Sequence, residues 1–147
     1  MDLDRADSDI LNAVTENARL SLRKIAKKIG LAPATVMTRL KRLEDSGIIK
    51  RYSAVIDYDK LGYDLPVIVN LCIPKEMVSK VGIEVAKHPS VIAVHDITGR
   101  FDVLVVARFR NRQALDAFLK HLHVYESIER SETCVLLNTL GEKPLLF

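Results

Sequence analysis

Ten basic side chains, Arg19, Arg23, Lys24, Lys27, Lys28, Arg39, Lys41, Arg42, Lys50 and Arg51, lie between positions 19 and 51, against only two acids there, Glu44 and Asp45. A local excess of eight positive charges is the field that a polyanion feels, and its chemistry would be phosphate neutralisation. On charge alone a solvated basic face fits as well, so helical geometry has to decide. A second candidate is Thr98-Gly99-Arg100-Phe101-Asp102. Its glycine can bare backbone N–H groups to a carboxylate and Asp102 can accept from an ammonium, which together suit a zwitterion such as an amino acid. The competing reading is a β-turn whose Gly and Asp only satisfy turn geometry.

Other chemistry finds little support. The nearest two glycines, Gly47 and Gly62, are too far apart for a phosphate-cradling loop, and no serine stands in a G-x-S-x-G elbow. His121 and His123 are two apart on an expected helix, and His88 and His95 have no Cys or His at metal-ligand spacing. No cofactor or metal is expected. Cys72 and Cys134 sit in apolar strand-like runs and read as small buried hydrophobes, a usage that suits an intracellular protein. The longest apolar run, Leu65 to Pro74, is too short to cross a membrane, and the amino terminus lacks a signal peptide's pattern. A cytoplasmic location is expected.

Positioning the basic residues requires helices. With 48% apolar and 28% charged residues, the 147-residue chain can bury one core or two small ones. Leu3, Ile10, Leu11 and Val14 share one helical face that Asp4 or Asp7 can open. Leu22, Ile25, Ala26 and Ile29 predict a two-turn helix between a Ser21 cap and a Gly30 stop. Pro33 suits the first position of a third helix, carrying Val36, Leu40 and Leu43 inward until Gly47. Helices joined by Gly30-Leu31-Ala32 predict a helix-turn-helix whose second helix enters the major groove of double-stranded DNA. A helical bundle that docks another protein is the alternative. The outward face of the third helix carries Ala34, Thr38 and Lys41, flanked by Thr35, Met37 and Arg42. From Pro33 through Ala34, Thr35, Met37 and Thr38 the side chains suit base edges, while Arg39, Lys41, Arg42, Lys50 and Arg51 suit phosphates.

Ile48–Asp57 alternates like a connecting strand, and Leu61-Gly62-Tyr63 marks a hinge, so residues 1–60 and 61–147 form two expected domains. The second reads Leu65–Ile73 strand, Glu76–Lys87 helix, Val91–Thr98 and Asp102–Phe109 strands, Ala114–Leu122 helix and Thr133–Leu140 strand. That β-α-β-β-α-β order predicts an α+β, ferredoxin-like domain with both helices on one face of the sheet. Its open face is expected to show Val103, Val105 and Ala107 and to be covered by a second copy, giving at least a dimer.

In these motifs the chain resembles the leucine-responsive/asparagine-responsive (Lrp/AsnC) family of transcription regulators over residues 3 to about 141. The resemblance rests on Leu3 to Leu11, on Ile25 to Leu31 through Val36, on Arg39-Leu40-Lys41-Arg42-Leu43-Glu44 with Gly47-Ile48-Ile49, on Leu61-Gly62-Tyr63, and on Thr98 to Asp102. It implies a winged helix-turn-helix, dimers that assemble further into octamers, and an amino-acid effector between dimers. The loop Gly99 to Asp102 would line that pocket, with Thr133 approaching from a neighbouring subunit. Arg100, a departure from the family pattern, adds a cation beside the loop, from which an acidic or polar effector is expected. An octamer with eight basic helices could also act as an architectural DNA-wrapping protein of low specificity, associated with the nucleoid. Sirohaem decarboxylases are similar in fold, but their His/Tyr/Arg/Trp-rich stretch after the hinge is Asp64-Leu65-Pro66-Val67-Ile68-Val69-Asn70-Leu71 here.

Overall fold

The computed structural model describes residues 2–147, which divide into a unit formed by the chain through Val55 with Gly141–Phe147, and a second unit, Ile56–Leu140. The division expected near residue 60 thus falls at 55/56, and the last seven residues return to the first unit.

Three helices build the first unit. The first, α1 (Arg5–Glu16), opens with a capping box in which the Asp4 carboxylate accepts from Asp7 N–H and Asp7 accepts from Asp4 N–H. Helix α2 (Leu22–Ile29) has the expected Ser21 cap and ends at Gly30, whose φ of 73° is left-handed. Helix α3 (Pro33–Asp45) starts with Pro33 at its first turn, and no side chain caps it from Ala32. Ile10, Leu11, Ala13, Ile25, Ala26, Val36 and Leu43 form the core, each at most 5% exposed. Each buried Ile, Leu and Val among them contributes about 1.5–3 kcal/mol, which fixes how α3 crosses the other two. The connecting strand expected over Ile48–Asp57 does not form: among the described residues, 50–57 join no ladder. Alternation supplies the side-chain pattern of a strand, but a strand also needs a partner for its backbone.

The second unit is a four-stranded antiparallel sheet in the order β2-β3-β1-β4, from β1 (Leu65–Cys72), β2 (Val91–Asp96), β3 (Val103–Phe109) and β4 (Arg130–Val135). Helices α4 (Lys75–Ala86) and α5 (Arg112–Leu122) cover one face. There Val67, Val69 and Leu71 of β1 and Val103, Val105, Ala107 and Phe109 of β3 pack with Val78, Val81, Val85, Phe118 and Leu122. Val103, Val105 and Ala107 are therefore core residues, not the open face. The opposite parity, Ile68 on β1 with Leu104 and Val106 on β3, faces outward and is half-buried. In an all-apolar run parity is ambiguous, and Arg108, in phase with Leu104 and Val106, was the residue that marked the outside. The last strand lies earlier than the expected Thr133–Leu140, because it must register on β1, where Thr133 pairs with Val69 and Arg130 with Cys72. Cys134, opposite Ile68 on the outward face, is exposed, not buried; Cys72 is half-buried.

Candidate nucleic-acid interface and effector loop

The tight turn at Gly30 and the apolar underside of α3 leave one face of that helix in solvent. Ala34, Thr35, Thr38 and Lys41 are exposed along it, as is Met37 at 54%. Thr38 donates its hydroxyl to the Ala34 carbonyl at 3.1 Å, keeping its lone pairs outward. Lys41, Lys50 and Arg51 are exposed and join no ion pair among the described residues. Tyr52 donates to Glu44 at 2.7 Å, tying the segment that carries Lys50 and Arg51 to the end of α3. Burial and the Glu44 carboxylate push the Tyr52 hydroxyl up to about 12, so it remains a donor.

Arg39 and Arg42 differ from Lys41. Both reach α1: Arg39 Nη1 lies 2.7 and 2.8 Å from the Asp4 carboxylate oxygens and 2.9 Å from Asp7 Oδ1, and Arg42 Nη2 lies 2.5 Å from Asp7 Oδ2. Asp7 is fully buried, and these two guanidiniums are the charged partners its carboxylate meets there. With Ala34, Thr35 and Thr38 the two arginines line a shallow concavity on the exposed side of α3.

In the second unit, the β2–β3 loop is spliced to the end of β1 by Asp102. Its N–H donates to Leu71 O, its carbonyl accepts from Ile97 N–H, and its Oδ2 accepts from Ile73 N–H, each at 2.9 Å. Gly99 takes φ 120°, closed to most L-residues. Thr98, Gly99 and Asp102 line a concavity of about 410 Å³ together with Lys75, Val78, Asp96 and Ile97. Two carboxylates, Asp96 and Asp102, and the Lys75 ammonium thus line one concavity with Val78 and Ile97, next to the start of α4, which has no side-chain cap. Arg100 and Phe101 lie outside this lining. The Phe101 ring is flanked by the Arg100 and Arg130 guanidiniums at 5.6 and 5.0 Å, and Arg100 O accepts from Cys72 Sγ. Thr133, mid-strand on β4, is not among the lining residues either.

Comparison with known proteins decides the family. Residues 3–50 match the model of a winged helix-turn-helix DNA-binding domain, and residues 67–146 match that of the Lrp/AsnC ligand-binding domain. The chain belongs to the Lrp/AsnC family. An HTH-type transcriptional regulator of Pyrococcus furiosus is 34% identical over 142 residues, covering 97% of this chain and 96% of that one. The HTH-type transcriptional regulator FL11 of the same organism is 32% identical over 140 residues, covering 95% and 93%. Among solved structures, the L-Met complex of a transcriptional regulator from Neisseria meningitidis superposes with a TM-score of 0.91 at 26% identity, over 97% of this chain and 94% of that one.

As an Lrp/AsnC regulator, this chain carries a DNA-binding helix-turn-helix and a separate ligand-binding domain. Two sets of residues escaped the sequence reading. Lys75 and Asp96 join the loop only because α4 starts beside it, and Asp96 just ahead of Gly99 was the one local signal. Asp4 and Asp7 showed their capping spacing, but nothing local told that they reach α3.

Proposed function

We propose that this regulator reads a defined operator by laying α3 in the major groove of double-stranded DNA, and that an amino acid bound at the β2–β3 loop changes its DNA affinity or assembly. The observation that carries the first part is the exposed face of α3. Small and hydroxyl residues, Ala34, Thr35 and Thr38, occupy its amino-terminal half, where they can approach base edges, and the unpaired Lys41 follows one turn later. The second part rests on charge complementarity: Lys75 suits an α-carboxylate, Asp96 and the free oxygen of Asp102 suit an α-ammonium, and Val78 and Ile97 suit an apolar side chain. The L-Met complex of the Neisseria relative supports an amino acid as ligand. The reading extends to a dimer formed through the outward sheet face, further assembly toward an octamer, and action on cytoplasmic, nucleoid DNA without a catalytic step or prosthetic group.

The test is binding to labelled DNA from upstream of the protein's own gene and to a scrambled duplex of equal length. Both are run across a salt series, with and without methionine, leucine, glutamine, glutamate or aspartate. A preference of about a thousandfold that survives rising salt and shifts with one amino acid is the expected outcome. Equal affinities that collapse together with salt would replace it with an architectural, weakly specific DNA binder. Since Arg100 stacks on Phe101 outside the concavity, an apolar amino acid is expected to outrank an acidic one.

A further inference from the structure

Arg39 and Arg42 stand three residues apart on one side of α3, and both are met by the first turn of α1. Asp7 divides its carboxylate between them while accepting from Asp4 N–H, and Asp4 accepts from Asp7 N–H and from Arg39. Two carboxylates and two guanidiniums form a cluster with no net charge. The Asp7 N–H and Arg39 hold Asp4 below the usual carboxylate range, and Asp4 and Asp7 hold Arg39 above its ordinary value, so both are ions. Glu16 of α1 pairs with Lys28 of α2 in the same manner. Three of the ten cations between positions 19 and 51 are thus matched by acids from outside that stretch.

We infer that the acidic first turn of α1 is a specificity determinant: it withholds Arg39 from DNA phosphates and so limits sequence-independent binding. This rests on the reading that α3 meets DNA. Non-specific affinity comes from counterion release, with a salt slope that grows by roughly 0.9 for each phosphate neutralised. A guanidinium already held by two carboxylates gains nothing from a phosphate unless it abandons them. Asp7 is fully buried and cannot be left unpaired cheaply, whereas the Asp4 side chain is 55% exposed and serves as the outer half of the clamp. Lys41, Lys50 and Arg51 are then the phosphate contacts, and the readable face of α3 contributes a larger share of the total affinity.

Asp4→Asn tests this in the full chain, because Asn caps a helix as well as Asp but carries no charge. On the scrambled duplex, the variant is expected to bind several-fold more tightly at low salt, with a salt slope steeper by about one, while its melting temperature stays near wild type. A purely structural role for Asp4 would not raise DNA affinity. Arg39→Gln is expected to leave the wild-type slope unchanged, and Lys41→Gln to make it shallower by about one. An unchanged slope for Asp4→Asn, or an Arg39→Gln slope as shallow as that of Lys41→Gln, overturns the withholding of Arg39 while the docking of α3 stands. If Lys41→Gln leaves the slope untouched, the docking itself fails. Should Asp4→Asn unfold, the Arg39→Gln comparison alone decides.

Discussion

Asp102 has three hydrogen bonds that a ligand need not share, and one of them satisfies the half-buried N–H of Ile73. Removing its carboxylate leaves that donor unmet, which costs about 1–3 kcal/mol. Asp102→Ala is therefore expected to lower the unfolding free energy of the second unit by that amount even without an amino acid present, as denaturant titration would show. An unchanged midpoint would mean that the loop holds itself. His88 offers a pH-dependent counterpart. Its ring lies 4.8 Å from that of Phe118 and 6.5 Å from that of His121, and its Nδ1 accepts from Ser90 N–H. Burial, then His121, lowers its pKa in the folded state. The unfolded chain, with an ordinary histidine near 6.5, binds the proton more readily, so stability is full above about pH 6.5 and is lost as pH falls through the lower folded value. Melting temperature should fall from pH 7.5 toward 5 in wild type and fall less in His88→Phe; parallel curves would remove His88 from the account. At this scale the sequence was legible where chemistry is local, as at the Ser21 cap and the Gly30 stop. It was opaque where partners are distant: Arg39 and Asp7 lie 32 positions apart, and charge counted in a window cannot see across that gap.

Helix boundaries were the most legible feature, because caps and stops are local chemistry. Ser21, Gly30, Pro33 and Gly47 mark ends that the structure keeps, with Gly30 and Gly47 both at φ 73°. The weak cap is also visible: Ala32 takes the extended conformation of an N-cap, φ −69° and ψ 142°, with no side chain to accept from the helix. Ala32→Ser is expected to stabilise the first unit by about 0.5–2 kcal/mol, read as a higher unfolding midpoint. No gain would show that Pro33 and packing already fix the turn. Strands were less legible for two physical reasons. Residues 50–57 carry the alternation without a partner strand, and β4 is placed by its ladder with β1, not by its own composition. Parity failed in β3 because both of its faces are apolar except at Arg108.

In the whole molecule, the outward face bearing Ile68, Leu104 and Val106 is the surface that the proposed dimer would cover. Val106→Lys places a charge at its centre without touching the helix-side core. Sedimentation equilibrium is expected to find a monomer with a circular dichroism spectrum like that of wild type; a persistent dimer would move the interface elsewhere. The return of Gly141–Phe147 to the helical unit has a different consequence. Asn12 accepts from Phe147 N–H at 2.8 Å and donates to Phe147 O at 2.7 Å, across 135 positions of chain. During synthesis the three helices emerge first, yet this contact waits until every strand of the sheet has left the ribosome. The helical unit is therefore closed by residues 141–147, made after the sheet, although its buried core, Ile10 to Leu43, is complete long before.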